Sequence, residues 1–207
     1  MLLYLSSYHL GNEAQKLKQM VDSNKKAAII PNALDFSQDL ERRKKSIQQE
    51  IDDLTSLGFI PEELDLRDYF GKTDELRSKL KEFGLVWVQG GNTFVLLRAM
   101  RESGFDELIK EYKGKDELVY AGYSAGVCAI TPTLKGIELV DDAEVIPDGY
   151  KNQTVWDGIG LINDSIAPHY KSDHPESEAT NKTVEYFIEN KMLFKVLRDG
   201  EVIIEDV

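Results

Sequence analysis

Gly122-Tyr123-Ser124-Ala125-Gly126 is the stretch on which the reading of this chain turns. It follows an apolar run, Leu118-Val119-Tyr120-Ala121, and precedes a segment of mostly small residues, Val127-Cys128-Ala129-Ile130. A strand, a sharp turn and a helix in that order hold a serine hydroxyl up at the end of a sheet. Glycines on either side let the turn tighten where a Cβ would collide. The helix that begins there aims backbone N–H groups at the point where negative charge develops during acyl transfer. An isolated G-x-S-x-G is as often an ordinary strand-to-helix turn. Partners elsewhere in the chain therefore decide whether Ser124 is a nucleophile.

The bulk composition narrows the field. The chain has 207 residues, 42% of them hydrophobic, enough for one domain over residues 1–207 with a full core. A net charge of -12 disfavours phosphate-rich partners, so neither nucleic acid nor an anionic membrane surface is expected. The single cysteine rules out an internal disulfide and suits a reducing, cytoplasmic setting. Met1-Leu2-Leu3-Tyr4-Leu5 reads as a first strand, since it is short and lacks the basic flank of a secretion signal. A homodimer is the base-rate expectation for a soluble enzyme.

Short apolar runs alternate with charged amphipathic segments. Strands are expected at 2–5, 27–30, 63–66, 85–88 and 118–121, with helices at 13–21, 36–57, 73–83, 92–100 and 105–112. Asn92 or Thr93 is placed to cap the helix that starts there. Such alternation implies parallel βαβ units and a sheet covered on both faces. After Ser124 the pattern changes. Residues 138–145 read as extended and acidic, 165–167 as a short strand and 178–190 as a helix. Residues 194–197 and 201–204 flank Arg198-Asp199-Gly200, which reads as a hairpin turn and an antiparallel edge on a mostly parallel sheet.

A serine hydroxyl needs a base to take its proton. Three histidines are available: His9, His169 and His174. His169 follows Pro168 at the end of a strand, where open α/β sheets collect their sites, and is the favoured base. His174 lies in a charged loop and reads as solvated; His9 follows the first strand, near the site or merely exposed. A carboxylate must orient the imidazole, and Glu138, Asp141, Asp142 and Glu144 all lie between Ser124 and His169. On an extended segment Glu138 and Asp142 share one face and Asp141 takes the other. Gly90-Gly91 ends a strand, so the backbone can approach a substrate, and the Gly91 N–H with that of Ala125 would form an oxyanion hole. Cys128 reads as core packing, as does Trp87, while Trp156 packs or lines a pocket. No metal-ligand spacing, dinucleotide fingerprint or phosphate loop is found, so no metal and no cofactor are expected.

Gly90-Gly91-Asn92-Thr93-Phe94, the Ser124 pentapeptide, Thr131-Pro132-Thr133 and Pro168-His169-Tyr170, in that order, resemble the peptidase E family of aspartyl dipeptidases. The resemblance implies a fold similar to the class I glutamine amidotransferases, a three-layer α/β/α flavodoxin-like sandwich. It implies a serine peptidase acting on short peptides, with Ser124 as nucleophile and His169 as base. It also implies an oxyanion hole and substrate contacts from Gly90, Gly91, Asn92 and Ala125, with no cofactor. Amidotransferases of similar fold carry cysteine at the elbow, where this chain has serine. The family's acid does not align cleanly; Glu138 is nearest without gaps, and Asp142 comes second. An arginine after the histidine binds the substrate aspartate in the family, but residues 169–191 contain none. Ala179 falls near its place, with Lys171 and Lys182 as point charges only. Aspartate is therefore not expected to be required. An α/β-hydrolase-type esterase shares the elbow and the Ser–acid–His order. A non-catalytic binding module on the same scaffold would also carry these motifs, and a cyanophycinase is similar at the elbow.

Overall fold

A computed structural model describes all residues, 1–207. Eight strands and seven α-helices alternate along it: β1 Leu2–Ser6, α1 Ala14–Met20, β2 Lys26–Ile30, α2 Leu40–Ser56, β3 Ile60–Glu63, α3 Thr73–Leu80, β4 Leu85–Val88, α4 Thr93–Ser103, α5 Phe105–Lys110, β5 Val119–Tyr123, α6 Ala125–Cys128, β6 Ser165–Ala167, α7 Ser177–Glu189, β7 Phe194–Val196 and β8 Val202–Asp206. The main sheet runs β3-β2-β4-β5-β1-β8. All its pairs are parallel except β1 with β8, which is the antiparallel C-terminal edge.

Period-two alternation sorts the strands' side chains between two cores. Leu3, Leu5, Ala28, Ile30, Val86, Val88 and Tyr120 join one cluster with α3 to α7. Tyr4, Ala27, Ile29, Leu85, Trp87, Val119 and Ala121 join the other with Leu17 of α1 and Leu54 of α2. Both faces are buried, which is why the central strands are continuous apolar runs. The result is the expected three-layer α/β/α sandwich.

Three sequence expectations fail, each for a local reason. Residues 138–145 are not extended. Gly136, at φ +94, starts a 3-10 turn over Ile137–Leu139, and turns continue beyond it. The Arg198-Asp199-Gly200 turn is not a hairpin. β7 pairs with β6 in a separate two-stranded sheet, and β8 crosses to β1. The third strand comes earlier than expected, at Ile60–Glu63, and Leu66 already opens a 3-10 turn capped by Asp65.

Candidate active site

The C-terminal ends of β4, β5 and β1 lie side by side, so Gly90-Gly91, Ser124 and Tyr8-His9 meet at one edge of the sheet. That is where open α/β sheets form their crevice. The turn at Ser124 is strained: its φ is 49° and its ψ -113°, a conformation a non-glycine residue adopts only under constraint. Close packing imposes it. A Cβ at Gly122 or Gly126 would lie 2.6 or 2.5 Å from the Val88 carbonyl oxygen, so both flanking glycines let β5 and α6 press against β4. Gly91 (φ +143) packs as tightly, with the place of its Cβ 2.4 Å from the Ala33 oxygen. Neither the Gly91 nor the Ala125 N–H has a backbone acceptor, and Gly91 lines the cleft with Ser124. Two free donors beside a hydroxyl fit an oxyanion hole.

Asn92 is not part of that hole. Its Oδ1 accepts the Val95 N–H as the cap of α4, at 2.9 Å, and its Nδ2 donates to the Asp142 carbonyl at 2.9 Å. It ties the loop after the elbow to α4.

His169, 2% exposed, shares the cleft with Ser124. Its backbone is also in the left-handed region, at φ 61, held there by its N–H to Ser7 Oγ at 2.8 Å. Its Nδ1 lies 2.7 Å from Asp199 Oδ1, so Nδ1 carries the proton and Nε2 keeps its lone pair. Ser7 Oγ donates to the same carboxylate oxygen at 2.8 Å, and the Asp199 N–H donates to Ser172 Oγ at 2.8 Å. Burial pulls the His169 pKa below the usual histidine value, against the Asp199 hydrogen bond, which raises it; the nearby His174 adds to the lowering. The imidazole is therefore neutral at pH 7, as a base must be.

Asp199, not Glu138 or Asp142, is the carboxylate on the imidazole. Glu138 is exposed and accepts its own Gly136 N–H. Asp142 is exposed and caps the Glu144 N–H. Both are spent on the turns that replace the expected extended segment. The Asp199-Gly200 pair carries no sign of this role in the sequence, because Asp-Gly reads as a turn whatever else it does. Its place beyond His169 also departs from the Ser–acid–His order.

The remaining candidate residues have definite places. His174 is not merely solvated: its ring stacks on His169 at 3.7 Å and 8°. His9 points Nδ1 to Glu50 at 3.1 Å and lines the cleft. Trp156 leaves the site and packs edge-on against Phe94, with ring centroids 5.4 Å apart. Cys128 is buried, as expected, and burial pushes its thiol far above the usual range. It also forms part of the wall of a small cavity beside Ser124.

That cavity is tight, about 20 Å³, room for about one water. Ser124, Cys128, Thr93, Thr180, Asp141 and Glu176 are among its walls, and no lysine or arginine lines it. Asp141 accepts the Thr93 N–H at 2.8 Å, and burial pushes its carboxyl up to about 6. Burial raises Glu176 as well. Two clusters bring three metal-ligating atoms within 4.8 Å of one another: His169, His174 and Glu176, and His9, Glu50 and Asp53. In the first the two imidazoles are stacked, so their lone pairs run parallel instead of converging. In the second Glu50 already accepts from Trp87 and Tyr123.

The sequence model of peptidase family S51 matches residues 2–205. The chain belongs to peptidase family S51. This is the family that the motifs resemble. An uncharacterized peptidase of Listeria monocytogenes is 32% identical over 143 residues, covering 69% of this chain and 66% of that protein. A peptidase E of Streptomyces coelicolor is 31% identical over 144 residues, 66% of this chain but 54% of that protein. The chain thus spans just under two thirds of the first relative and about half of the second. A crystal structure of a Listeria monocytogenes protein described as a candidate peptidase E superposes with a TM-score of 0.73 and 26% identity. The two cover 100% and 98% of each other. No helix of this S51 chain is long and apolar enough to cross a membrane.

Proposed function

We propose that this S51 chain is a serine exopeptidase that cleaves short peptides through an acyl-enzyme on Ser124. The observation that carries the reading is the 2.7 Å contact between His169 Nδ1 and Asp199, in the same cleft as the strained Ser124. Nε2 of His169 accepts the Ser124 proton as Oγ attacks the scissile carbonyl. The tetrahedral oxyanion is met by the Gly91 and Ala125 N–H groups. Asp199 holds the tautomer and stabilises the imidazolium. The imidazolium then protonates the leaving amine, and water releases the acyl group with the same base.

Specificity follows from the tight cavity beside Ser124. Asp141 and Glu176 put negative charge in its wall, and no lysine or arginine offsets it there. An aspartate side chain entering it meets repulsion and no guanidinium fork. Small neutral residues before the cut are therefore preferred, and the acid walls suit the free ammonium of the same residue. The experiment is hydrolysis of Ala-Leu, Asp-Leu, Glu-Leu and a tripeptide by the protein and its Ser124→Ala variant. Ala-Leu cleavage that exceeds Asp-Leu cleavage and vanishes in Ser124→Ala is the expected result. Turnover of a nitrophenyl ester with no peptide cleaved would instead favour an esterase.

The cytoplasmic setting and the homodimer are proposals of the same kind. One reduced, buried cysteine supports the first. Sedimentation at micromolar concentration tests the second.

A further inference from the structure

Glu50 departs from the pattern of its helix. It stands on the core face of α2, between Ile47 and Leu54, and is 0% exposed. A carboxylate is rarely buried without partners. Three donors converge on Glu50: Trp87 Nε1 at 2.8 Å, Tyr123 OH at 2.9 Å and His9 Nδ1 at 3.1 Å. The first two are neutral, so His9 is the group among them able to balance a buried negative charge. Tyr123 is the residue before the nucleophile. The bond from Glu50 raises the His9 pKa against the cost of its burial, with Asp53 of the same helix and Asp199 of the β7–β8 connection adding to the rise. The imidazolium is thereby favoured, and its Nε2 has no partner within the protein.

The cleft outside Ser124 encloses about 510 Å³, with His9 and Arg42 in its wall. It holds charges of both signs. The two cations come from the end of β1 and from α2, while Asp173, Glu176 and Asp199 come from the loop before α7 and the β7–β8 connection. The tight cavity holds neither His9 nor Arg42. On the serine peptidase reading the side chain of the acyl residue lies toward that tight cavity, and the leaving residue then extends into the larger cleft. The charge that every free leaving residue brings is its own carboxylate.

We propose that His9, braced by buried Glu50, and Arg42 bind the free carboxylate of the residue that leaves. An imidazolium N–H and a guanidinium are both strong, charge-assisted donors to a carboxylate. This confines the substrate to peptides whose C-terminus lies one residue past the cut. The assignment rests on the serine peptidase reading for its direction, but not on turnover for its test.

The test is calorimetric binding to Ser124→Ala protein, which removes hydrolysis from the readout. The ligands are Ala-Leu, Asp-Leu and the C-terminal amide of each. The proteins are Ser124→Ala alone and Ser124→Ala with His9→Gln and Arg42→Gln. Glutamine keeps an N–H donor for Glu50, so the buried carboxylate is not orphaned. The expected result is at least tenfold tighter binding of each dipeptide than of its amide. The added substitutions bring the free dipeptides to the affinity of their amides and leave the amides unchanged. Equal affinity for acid and amide, or an equal loss on both, overturns the assignment. Binding of the Asp-Leu amide as tight as Asp-Leu, lost with the two cations, would mean that they read the aspartate side chain, and overturns it too. Failure of the peptidase reading itself shows separately, as no cleavage by protein with Ser124 intact.

Discussion

Asp199 holds His169 across 30 residues of sequence, with 2.7 Å between Oδ1 and Nδ1. The contact is made where β7 leaves its short sheet and β8 joins the main one. The edge strand thus does more than close the sheet: the chain leading into it brings the Asp199 carboxylate to the His169 imidazole. Ser7, at the end of β1, bonds to both His169 and Asp199 and fixes their separation.

Replacing Asp199 therefore costs activity where replacing the carboxylates nearer in sequence does not. Asp199→Asn is expected to lower kcat on Ala-Leu by roughly a thousandfold or more, since the amide permits the wrong tautomer. KM changes little. Glu138→Gln and Asp142→Asn remain within about threefold of the parent, because both side chains only cap exposed turns. Steady-state kinetics of the three variants checks this.

Two histidines in one cleft titrate in opposite directions. Burial lowers His169 from 6.5, while the Glu50 hydrogen bond raises His9 from 6.5. Proton NMR of the imidazoles is expected to show the His169 midpoint below pH 6.5 and the His9 midpoint above it. On the proposed mechanism a neutral His169 is the base, so the acid limb of kcat/KM is also expected to fall below pH 6.5. Asp199→Asn removes a bond that favours the imidazolium and shifts the His169 midpoint lower still. A His169 midpoint above 6.5 contradicts the prediction.

Asp141 costs stability at neutral pH. Its carboxyl is raised from 3.8 to about 6 in the folded chain. A raised folded pKa stabilises fully below 3.8, and that stability is lost as pH rises through about 6. Asp141→Asn keeps an acceptor for the Thr93 N–H and sheds the charge. It is expected to stabilise the fold by about 3 kcal/mol at about pH 8 and by no more than about 0.5 kcal/mol at about pH 4. Thermal melts at the two pH values measure the difference.

Most of the scaffold was legible because apolar runs and helical stripes are local signals. Leu85–Val88 and Val119–Tyr123 are buried on both faces and can be little else but central strands. That Ser124 and His169 would share one cleft was legible from a motif and a strand end. Asp199 was not, because its Asp-Gly turn hides the partner choice of the flanking strands, which is a long-range matter. The acidic stretch after residue 137 misled because one glycine, Gly136, bends it into a turn. Glu50 carried a faint signal, a charge at core spacing between Ile47 and Leu54, whose meaning appears only when Trp87, Tyr123 and His9 close around it.

The most direct measurement is labelling with a serine-directed fluorophosphonate, followed by mass mapping of the adduct. A single adduct on Ser124 is predicted, forming roughly a thousandfold more slowly in His169→Gln and in Asp199→Asn and at the parent rate in Glu138→Gln. No adduct on Ser124, or a rate that depends on Glu138 and not on Asp199, would contradict the account.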